Sequence, residues 1–225
     1  MVAALQTIES EGWEVIPGHP AYTLLQGPPL MQSSLDQVQM LIAKKGRRIR
    51  QESGGPGTTE AEGGLNYTVL TGDVVHDELR WLWRLYTWSK LVNFVSTVAR
   101  ERMRVSCDRV SGATVNCIES EGARYEQHTD LAGWSAVYFL TTVPTNQGGE
   151  LVLHVGAGGY ARIFPRIGRM VIFKGSEIPH EVARLRTGAT RLTAVFSFLP
   201  IASMADREPN REALNRYLFQ TKPLQ

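Results

Sequence analysis

The sequence predicts an α+β fold whose core is mainly β. From Val105 onward the apolar runs are short and are separated by Gly, Pro and Asn, which is typical of an antiparallel sandwich or barrel. Before Val105, apolar residues recur at three- to four-residue spacing, which predicts helices. A chain of 225 residues is long enough for one such domain. We therefore expect a single domain over residues 1–225, in which helices within residues 1–104 support a β core over residues 105–200.

The candidate strands are short apolar runs bounded by turn residues. In the β core they cover residues 114–118, 134–142, 150–155, 170–173 and 192–198. One further strand, over residues 65–70, is expected among the helices.

Polar residues mark where the helices are expected to begin. Ser34 is a favourable N-cap, Gln37 completes a capping box, and Gly46 is a plausible stop for the first helix. Asp73 and Ser89 are expected to cap two further helices. These helices are expected to lie against the outside of the β core.

Three segments are interpreted from their composition. Residues 51–64 contain five glycines and few apolar residues, so we expect a flexible loop and treat it as a hypothetical lid over a site. The basic run over residues 44–50 is interpreted as a solvated helix end and loop, with contact to an acidic substrate or carrier as the alternative. Residues 201–225 are expected to form a last helix, with Pro209 near its start.

The composition of the chain bears on whether it binds nucleic acid, enters a membrane or is secreted. The net charge is +2, a mild excess that predicts no nucleic-acid partner. No apolar run reaches the roughly 18 residues of a membrane span, and three glutamates interrupt residues 1–18, so no signal peptide is expected. Cys107 and Cys117 do not suggest a disulfide framework, which favours the reducing cytoplasm.

The run Tyr-Glu-Gln-His-Thr-Asp at residues 125–130 carries the main chemical signal. In an extended segment, His128 and Asp130 point to the same side because they are two residues apart. One imidazole and one carboxylate can then share a metal ion with a second histidine, as in the two-His-one-carboxylate sites of non-haem Fe(II) oxygenases. His180 is the best candidate for that second histidine, and Arg191 follows it by eleven residues (191 − 180).

This order of residues resembles the Fe(II)/2-oxoglutarate-dependent dioxygenases. The resemblance covers roughly residues 110–200, and it includes Gly-Gly-Glu-Leu at residues 148–151 and Pro-x-x-Gly-x-x-x-x-Phe at residues 165–173. It is greatest with the prolyl-4-hydroxylase-like branch and with small bacterial amino-acid or natural-product oxygenases. It implies a double-stranded β-helix (a cupin-like jelly roll), with Fe(II), 2-oxoglutarate and O2 as cofactor and co-substrates.

The resemblance also implies a role for individual residues. His128, Asp130 and His180 would bind the iron, whereas His154 has no partner motif and is interpreted as a non-ligand. A carboxylate at residue 130 argues against the related halogenases, in which a small residue leaves room for chloride.

A buried cation is needed for the distal carboxylate of 2-oxoglutarate, and Arg191 suits it because a guanidinium pairs with a carboxylate bidentately. Thr193 would lie on the same side of the strand and add a hydrogen bond. Tyr125 and Asn116 are further candidate contacts with 2-oxoglutarate. Alternatively, Tyr125 packs beneath the metal loop and Asn116 satisfies backbone groups.

The implied activity is oxidation of an unactivated C–H bond with release of succinate and CO2. The expected substrate is a small molecule such as a free amino acid or a natural-product intermediate, and desaturation or ring closure stays open beside hydroxylation. A prolyl hydroxylase acting on a peptide or protein is the alternative. A nucleic-acid demethylase finds little support in the charge balance, and an inactive cupin-like binding protein is disfavoured by the intact site residues.

Overall fold

The computed structural model describes residues 2–51, 58–59, 65–119, 124–131, 133–156, 158–186, 188–203 and 215. Its α-helices are α1 (Val2–Glu9), α2 (Gln32–Lys45), α3 (Gly72–Glu78), α4 (Arg80–Tyr86) and α5 (Ser89–Ala99). Its strands are β1 (Glu14–Ile16), β2 (Tyr22–Gln26), β3 (Arg47–Gln51), β4 (Thr58–Thr59), β5 (Leu65–Leu70), β6 (Met103–Val105), β7 (Ala113–Ile118), β8 (Arg124–Thr129), β9 (Trp134–Phe139), β10 (Leu151–His154), β11 (Tyr160–Ile163), β12 (Arg169–Phe173), β13 (His180–Val182) and β14 (Arg191–Pro200).

The strands form one sheet that folds over on itself. The hydrogen-bonded order is β1-β2-β12-β9-β14-β7-β5-β8-β13-β10-β11, and every pair along it is antiparallel. One half of the sheet contains β7, β9 and β14, and the other half contains β8, β10 and β13. Both halves contribute residues to the same cavity, so they face each other. The expected fold, a double-stranded β-helix supported by helices, is confirmed.

The helices pack on the outer face of the larger half of the sheet. Leu82, Leu91 and Phe94 belong to the same apolar cluster as Phe196 and Phe198 of β14. The three tryptophans of this region are partly buried against that cluster: Trp81, Trp83 and Trp88. This support holds β14 in place from behind, and the opposite face of β14 is left for the cavity.

The first helix of the prediction begins earlier than expected. Its N-cap is Met31, without a side-chain hydrogen bond, so Ser34 lies inside α2 and the predicted capping box is wrong. Gln37 donates to the carbonyl of Glu78 (2.8 Å) instead. Gly46 does end the helix, with a φ of −61°. Glycine is needed there for space, since a Cβ would lie 2.4 Å from the carbonyl oxygen of Ile42.

The next two expected caps are also shifted. The helix that was expected to have Asp73 as its N-cap has Thr71 instead. The helix that was expected to have Ser89 as its N-cap has Trp88. The region between them contains two helices rather than one, because the backbone of Leu79 leaves the helical conformation (φ −107°, ψ 56°). Burial of apolar side chains, including the fully buried Leu79, decides these boundaries over local capping preference.

The second half of the basic run is a strand and not a loop. Residues 47–51 form β3, which pairs with β5 along its whole length. Arg48 donates to the side-chain oxygen of Asn66 on β5 (2.7 Å). Pairing with a neighbouring strand therefore overrides the charged composition that favoured a loop.

Two predicted segments fall largely outside the described residues. Of the hypothetical lid, the structure describes Gln51 and Thr58–Thr59, and the backbone of Thr58–Thr59 pairs in parallel with His128 and Thr129 of β8. Of the predicted C-terminal helix, residues 201–203 and Asn215 are described. The single-domain boundary stays a prediction. In the part of the chain described, no helix has the length and apolarity to cross a membrane.

Candidate active site

Two neighbouring strands bring the two histidines of the predicted site together. His128 of β8 and His180 of β13 are directly opposite in the antiparallel pair, with ring centroids 4.3 Å apart. Asp130 follows the end of β8. One ligand atom from each of these three residues lies within 4.8 Å of the others. Among the described residues, they are the group of His, Cys, Asp or Glu side chains that could hold a metal ion.

Backbone carbonyls orient both imidazole rings. Nδ1 of His128 donates to the carbonyl of Glu126 (2.7 Å), and Nδ1 of His180 donates to that of Ile178 (2.9 Å). Because a carbonyl can only accept, Nδ1 carries the hydrogen and each Nε2 is left with its lone pair. The Nε2 atoms lie 3.7 Å (His128) and 3.4 Å (His180) from Oδ1 of Asp130. Two nitrogen donors and one oxygen donor thus face one point.

The protonation states suit a metal cation. Burial, with a contribution from the neighbouring His180, lowers the pKa of His128 to about 3. Burial alone would raise the pKa of Asp130, but the two imidazoles and the Ser135 hydroxyl outweigh it and hold that pKa below its ordinary value. Metal ions require neutral imidazoles and ionised carboxylates. The residues present therefore fit Fe(II) in number, type and charge.

Two residues that the sequence analysis did not single out hold the carboxylate of Asp130. The hydroxyl of Ser135, at the start of β9, donates to Oδ2. The backbone N–H of Asp130 donates to the carbonyl of Gly175 (3.0 Å), and a Cβ at residue 175 would lie 1.9 Å from Oδ2. Ser135 lies five residues after Asp130 and Gly175 lies 45 residues after it (175 − 130), so neither follows the i, i+2 alternation that linked His128 with Asp130.

His154 lies away from this group. Its Nε2 is 3.3 Å from a carboxylate oxygen of Glu181, and both side chains are about one-third exposed, at 33% and 36%. This position agrees with its interpretation as a non-ligand.

Arg191 is a buried cation at one end of the cavity. Only 2% of the residue is exposed. Its Nε donates to the carbonyl of Gly149 (2.8 Å), one terminal nitrogen donates to Thr193 Oγ1 (3.1 Å), and the guanidinium lies over the ring of Phe139 (5.4 Å). No carboxylate among the described residues pairs with it, and burial lowers the pKa of Arg191 to about 9. An anion bound beside Arg191 would supply the missing counter-charge.

Gly149 leaves room for Leu185 beside the arginine. Its φ is +75°, a conformation that glycine adopts without strain, and a Cβ there would lie 3.4 Å from Cδ of Arg191 and 2.7 Å from Leu185. The Gly-Gly turn of the sequence motif therefore places a carbonyl, rather than a side chain, against the guanidinium.

The remaining predicted residues line the same cavity. Asn116 is directly opposite Thr193 in the pairing of β7 with β14. Tyr125 packs against the ring of His128 (4.4 Å between centroids) and against Tyr67 (5.0 Å). All seven predicted site residues are thus on one cavity wall or another. The sequence analysis missed several other lining residues: Tyr67, Ser111, Thr114, Ser135 and Ser197.

Comparison with known proteins agrees with this geometry. Residues 113–198 match the model of the 2OG-Fe(II) oxygenase superfamily. Similar structures include an oxidoreductase of the 2OG-Fe(II) oxygenase family from Burkholderia pseudomallei, at 15% identity over 88% of this chain and 90% of that one (TM-score 0.56). A prolyl-4-hydroxylase from Pseudomonas putida is 17% identical over 88% and 97% of the two chains (TM-score 0.51).

A third similar structure is the epimerase SnoN in complex with Fe3+, α-ketoglutarate and nogalamycin RO, at 16% identity over 89% and 85% of the two chains (TM-score 0.58). No curated protein matches the sequence. The segment that matches the superfamily contains all seven site residues that the sequence predicted. Residues 113–198 thus match a superfamily of enzymes that use Fe(II), 2-oxoglutarate and O2, and the residues of the site fit this cofactor and these co-substrates.

Proposed function

We propose that this enzyme oxidises an unactivated C–H bond of a small molecule, with hydroxylation as the expected outcome. His128, Asp130 and His180 bind Fe(II), and Arg191 with Thr193 binds the distal carboxylate of 2-oxoglutarate. The observation that carries the proposal is one cavity holding both a three-donor metal face and a buried arginine without a carboxylate partner among the described residues.

The residues of the chain bind, orient and exclude water. With Fe(II) held by His128, Asp130 and His180, and with 2-oxoglutarate and O2 bound, the site would supply an oxidative decarboxylation in which one oxygen atom of O2 ends in succinate and the other in the substrate, with release of CO2. Hydrogen bonds to Gly149 and Thr193 fix the guanidinium of Arg191, so Arg191 determines the orientation in which 2-oxoglutarate binds. Asn116 and Tyr125 are the proposed further contacts with this co-substrate, since both line the cavity.

The charged residues that line the cavity indicate whether the reacting part of the substrate is charged. Among the described lining residues, Asp130 and Arg191 carry the formal charges at neutral pH, and both have a partner in the proposed complex. A charged group entering the cavity would lose its hydration and would find no further counter-ion among the described lining residues, which is costly. Ser111, Thr114 and Ser197 offer hydroxyl groups instead. The reacting part of the substrate is therefore uncharged, which favours a natural-product intermediate over a free amino acid bound through its charged groups.

Prolyl hydroxylation of a peptide is the second candidate. The ring of a prolyl residue within a peptide is uncharged, so it satisfies the same condition. The similarity to the Pseudomonas putida prolyl-4-hydroxylase supports this candidate at the level of the fold.

Succinate formation tests the proposal and separates the two candidates. The Fe(II) enzyme is incubated with 2-oxoglutarate, O2 and one compound from each of three panels in turn: uncharged natural products, free amino acids and proline-containing peptides. His128→Ala serves as the inactive control. Substrate-dependent succinate with the first panel, and a product heavier by one oxygen atom, supports the main proposal, whereas the same result with peptides supports the second. Absence of iron-dependent 2-oxoglutarate consumption under every condition would refute both.

We also propose the cytoplasm as the compartment. Cys117 is a buried thiol outside any disulfide, and a reducing environment keeps iron in the ferrous state.

A further inference from the structure

We propose that Ser135 is a positioning residue for the metal-binding carboxylate, and that Gly175 is glycine to leave space for this contact. The inference rests on the proposed function, because it concerns the Asp130 side chain of the same site. It assigns a role to two residues outside the His-x-Asp, distal His and Arg pattern.

The two oxygens of Asp130 have different partners. Oδ1 lies 3.7 Å from Nε2 of His128 and 3.4 Å from Nε2 of His180, so it faces the metal position. Oδ2 accepts the hydrogen bond from the Ser135 hydroxyl. The last torsion of an aspartate is broad and roughly two-fold, so an unrestrained carboxylate could rotate and present its oxygens interchangeably. The serine selects one orientation before any metal binds.

Ser135 is itself held rigidly. It is opposite Phe173 in the pairing of β9 with β12 and opposite Ser197 in the pairing of β9 with β14, and it is 3% exposed. A hydroxyl on a central strand of a packed sheet moves little, which makes it a better anchor than one on a loop. Asp130, by contrast, lies just beyond the end of its strand.

Gly175 completes the arrangement from the other side. A Cβ at this residue would lie 1.9 Å from Oδ2 of Asp130 and 2.5 Å from Oγ of Ser135. Any side chain there would displace the hydrogen bond itself. The carbonyl of Gly175 also accepts the backbone N–H of Asp130 at 3.0 Å, so the same residue fixes the main chain beneath the carboxylate.

Ser197 provides a matched control. It is directly beside Ser135 in the sheet, and it lines the same cavity. Its hydroxyl makes no hydrogen bond to a described residue. Removing this hydroxyl changes the cavity as much as removing that of Ser135, but it leaves Asp130 untouched.

The test is the binding of Co(II) to metal-free protein, followed by calorimetry and by the visible absorption of the bound ion. Ser135→Ala is expected to weaken Co(II) binding by about 10- to 100-fold, the usual effect of removing a group that orients a metal ligand. Its Co(II) spectrum should also change, because the carboxylate geometry changes. Ser197→Ala should keep the wild-type affinity and spectrum.

Two further variants separate this role from a general loss of structure. Ser135→Cys keeps a weaker donor at the same place and should bind Co(II) with intermediate affinity. Gly175→Ala should reproduce the loss seen in Ser135→Ala while retaining the far-ultraviolet circular dichroism of the folded protein. Wild-type affinity in Ser135→Ala, or an equal loss in Ser197→Ala, would overturn the inference. Failure of the wild-type protein to bind Co(II) would instead count against the proposed function.

Discussion

His128 and His180 are directly opposite each other in the antiparallel pair of β8 and β13. Each ring donates its Nδ1 hydrogen to a carbonyl two residues earlier in the chain, so the two Nε2 atoms face the same side. The two histidines therefore have the same hydrogen-bonded side-chain arrangement, one on each strand. The register of β8 and β13, rather than any local sequence spacing, therefore places the second histidine at the site.

Replacing either histidine should remove metal binding. His128→Ala or His180→Ala takes away one of three donors, so iron occupancy and turnover should be lost while the fold is largely retained. Elemental analysis after loading with Fe(II), together with circular dichroism, measures both. His154→Ala is the control, since His154 contacts Glu181 away from the group and should keep full occupancy. Equal iron content in all four proteins would show that these histidines are not ligands.

Replacing Asp130 by glycine should abolish hydroxylation. The variant loses the oxygen donor, and it also leaves the Ser135 hydroxyl without its acceptor. The halogenases related to the family that the sequence resembles carry a small residue here, so we expect the vacated position to become open to chloride. Mass spectrometry of products formed in chloride buffer is the measurement. A native enzyme that chlorinates its substrate with Asp130 in place would contradict our interpretation of this residue.

Sequence patterns were sufficient for part of this site and not for the rest. The alternation of side chains along a strand placed His128 with Asp130, and Arg191 with Thr193. Ser135 was missed because it reaches Asp130 across the turn between β8 and β9, and Gly175 because the pairing of β12 with β9 brings it there; strand alternation reports neither contact.

The errors in the fold have a similar origin. Ser34 is a good N-cap residue, yet α2 begins at Gln32, and Gln37 of the predicted capping box donates to the distant carbonyl of Glu78 instead. The basic residues before the hypothetical lid favoured a loop, yet they pair with β5. In both cases contacts between distant segments outweighed a local preference of about 1 kcal/mol.

The two cysteines should differ sharply in reactivity. Burial, with help from the neighbouring Glu119, raises the pKa of Cys117 to about 12, whereas Cys107 is exposed. The thiolate is the reactive form, so at pH 8 a thiol reagent such as dithiobisnitrobenzoate should titrate one thiol in the native protein and two after unfolding. Because Cys117 adjoins Asn116 in β7, rapid reaction of both thiols in the native protein would indicate that this wall of the cavity is not packed as described.

Arg191 distinguishes a 2-oxoglutarate enzyme from a general iron protein. If it holds the distal carboxylate, Arg191→Ala leaves that carboxylate buried and unpaired. Removing one partner of a buried pair costs about 3–5 kcal/mol, and each 1.4 kcal/mol is about tenfold in affinity. The affinity for 2-oxoglutarate should therefore fall by roughly 10²- to 10³-fold. Iron binding should change little, because Arg191 is not among the three metal donors.

The measurement is titration of the Fe(II) protein with 2-oxoglutarate under argon, following the metal-to-ligand charge-transfer band. Arg191→Lys should be intermediate, because an ammonium keeps the charge but loses the planar fork that also donates to Gly149 and Thr193. Arg162→Ala is the matched control. Arg162 pairs with Glu150 and lies over the ring of Tyr160 (5.1 Å), and it is not among the residues that line the cavity. Wild-type affinity in Arg191→Ala would show that another cation holds the co-substrate, and a loss in Arg162→Ala would identify which one.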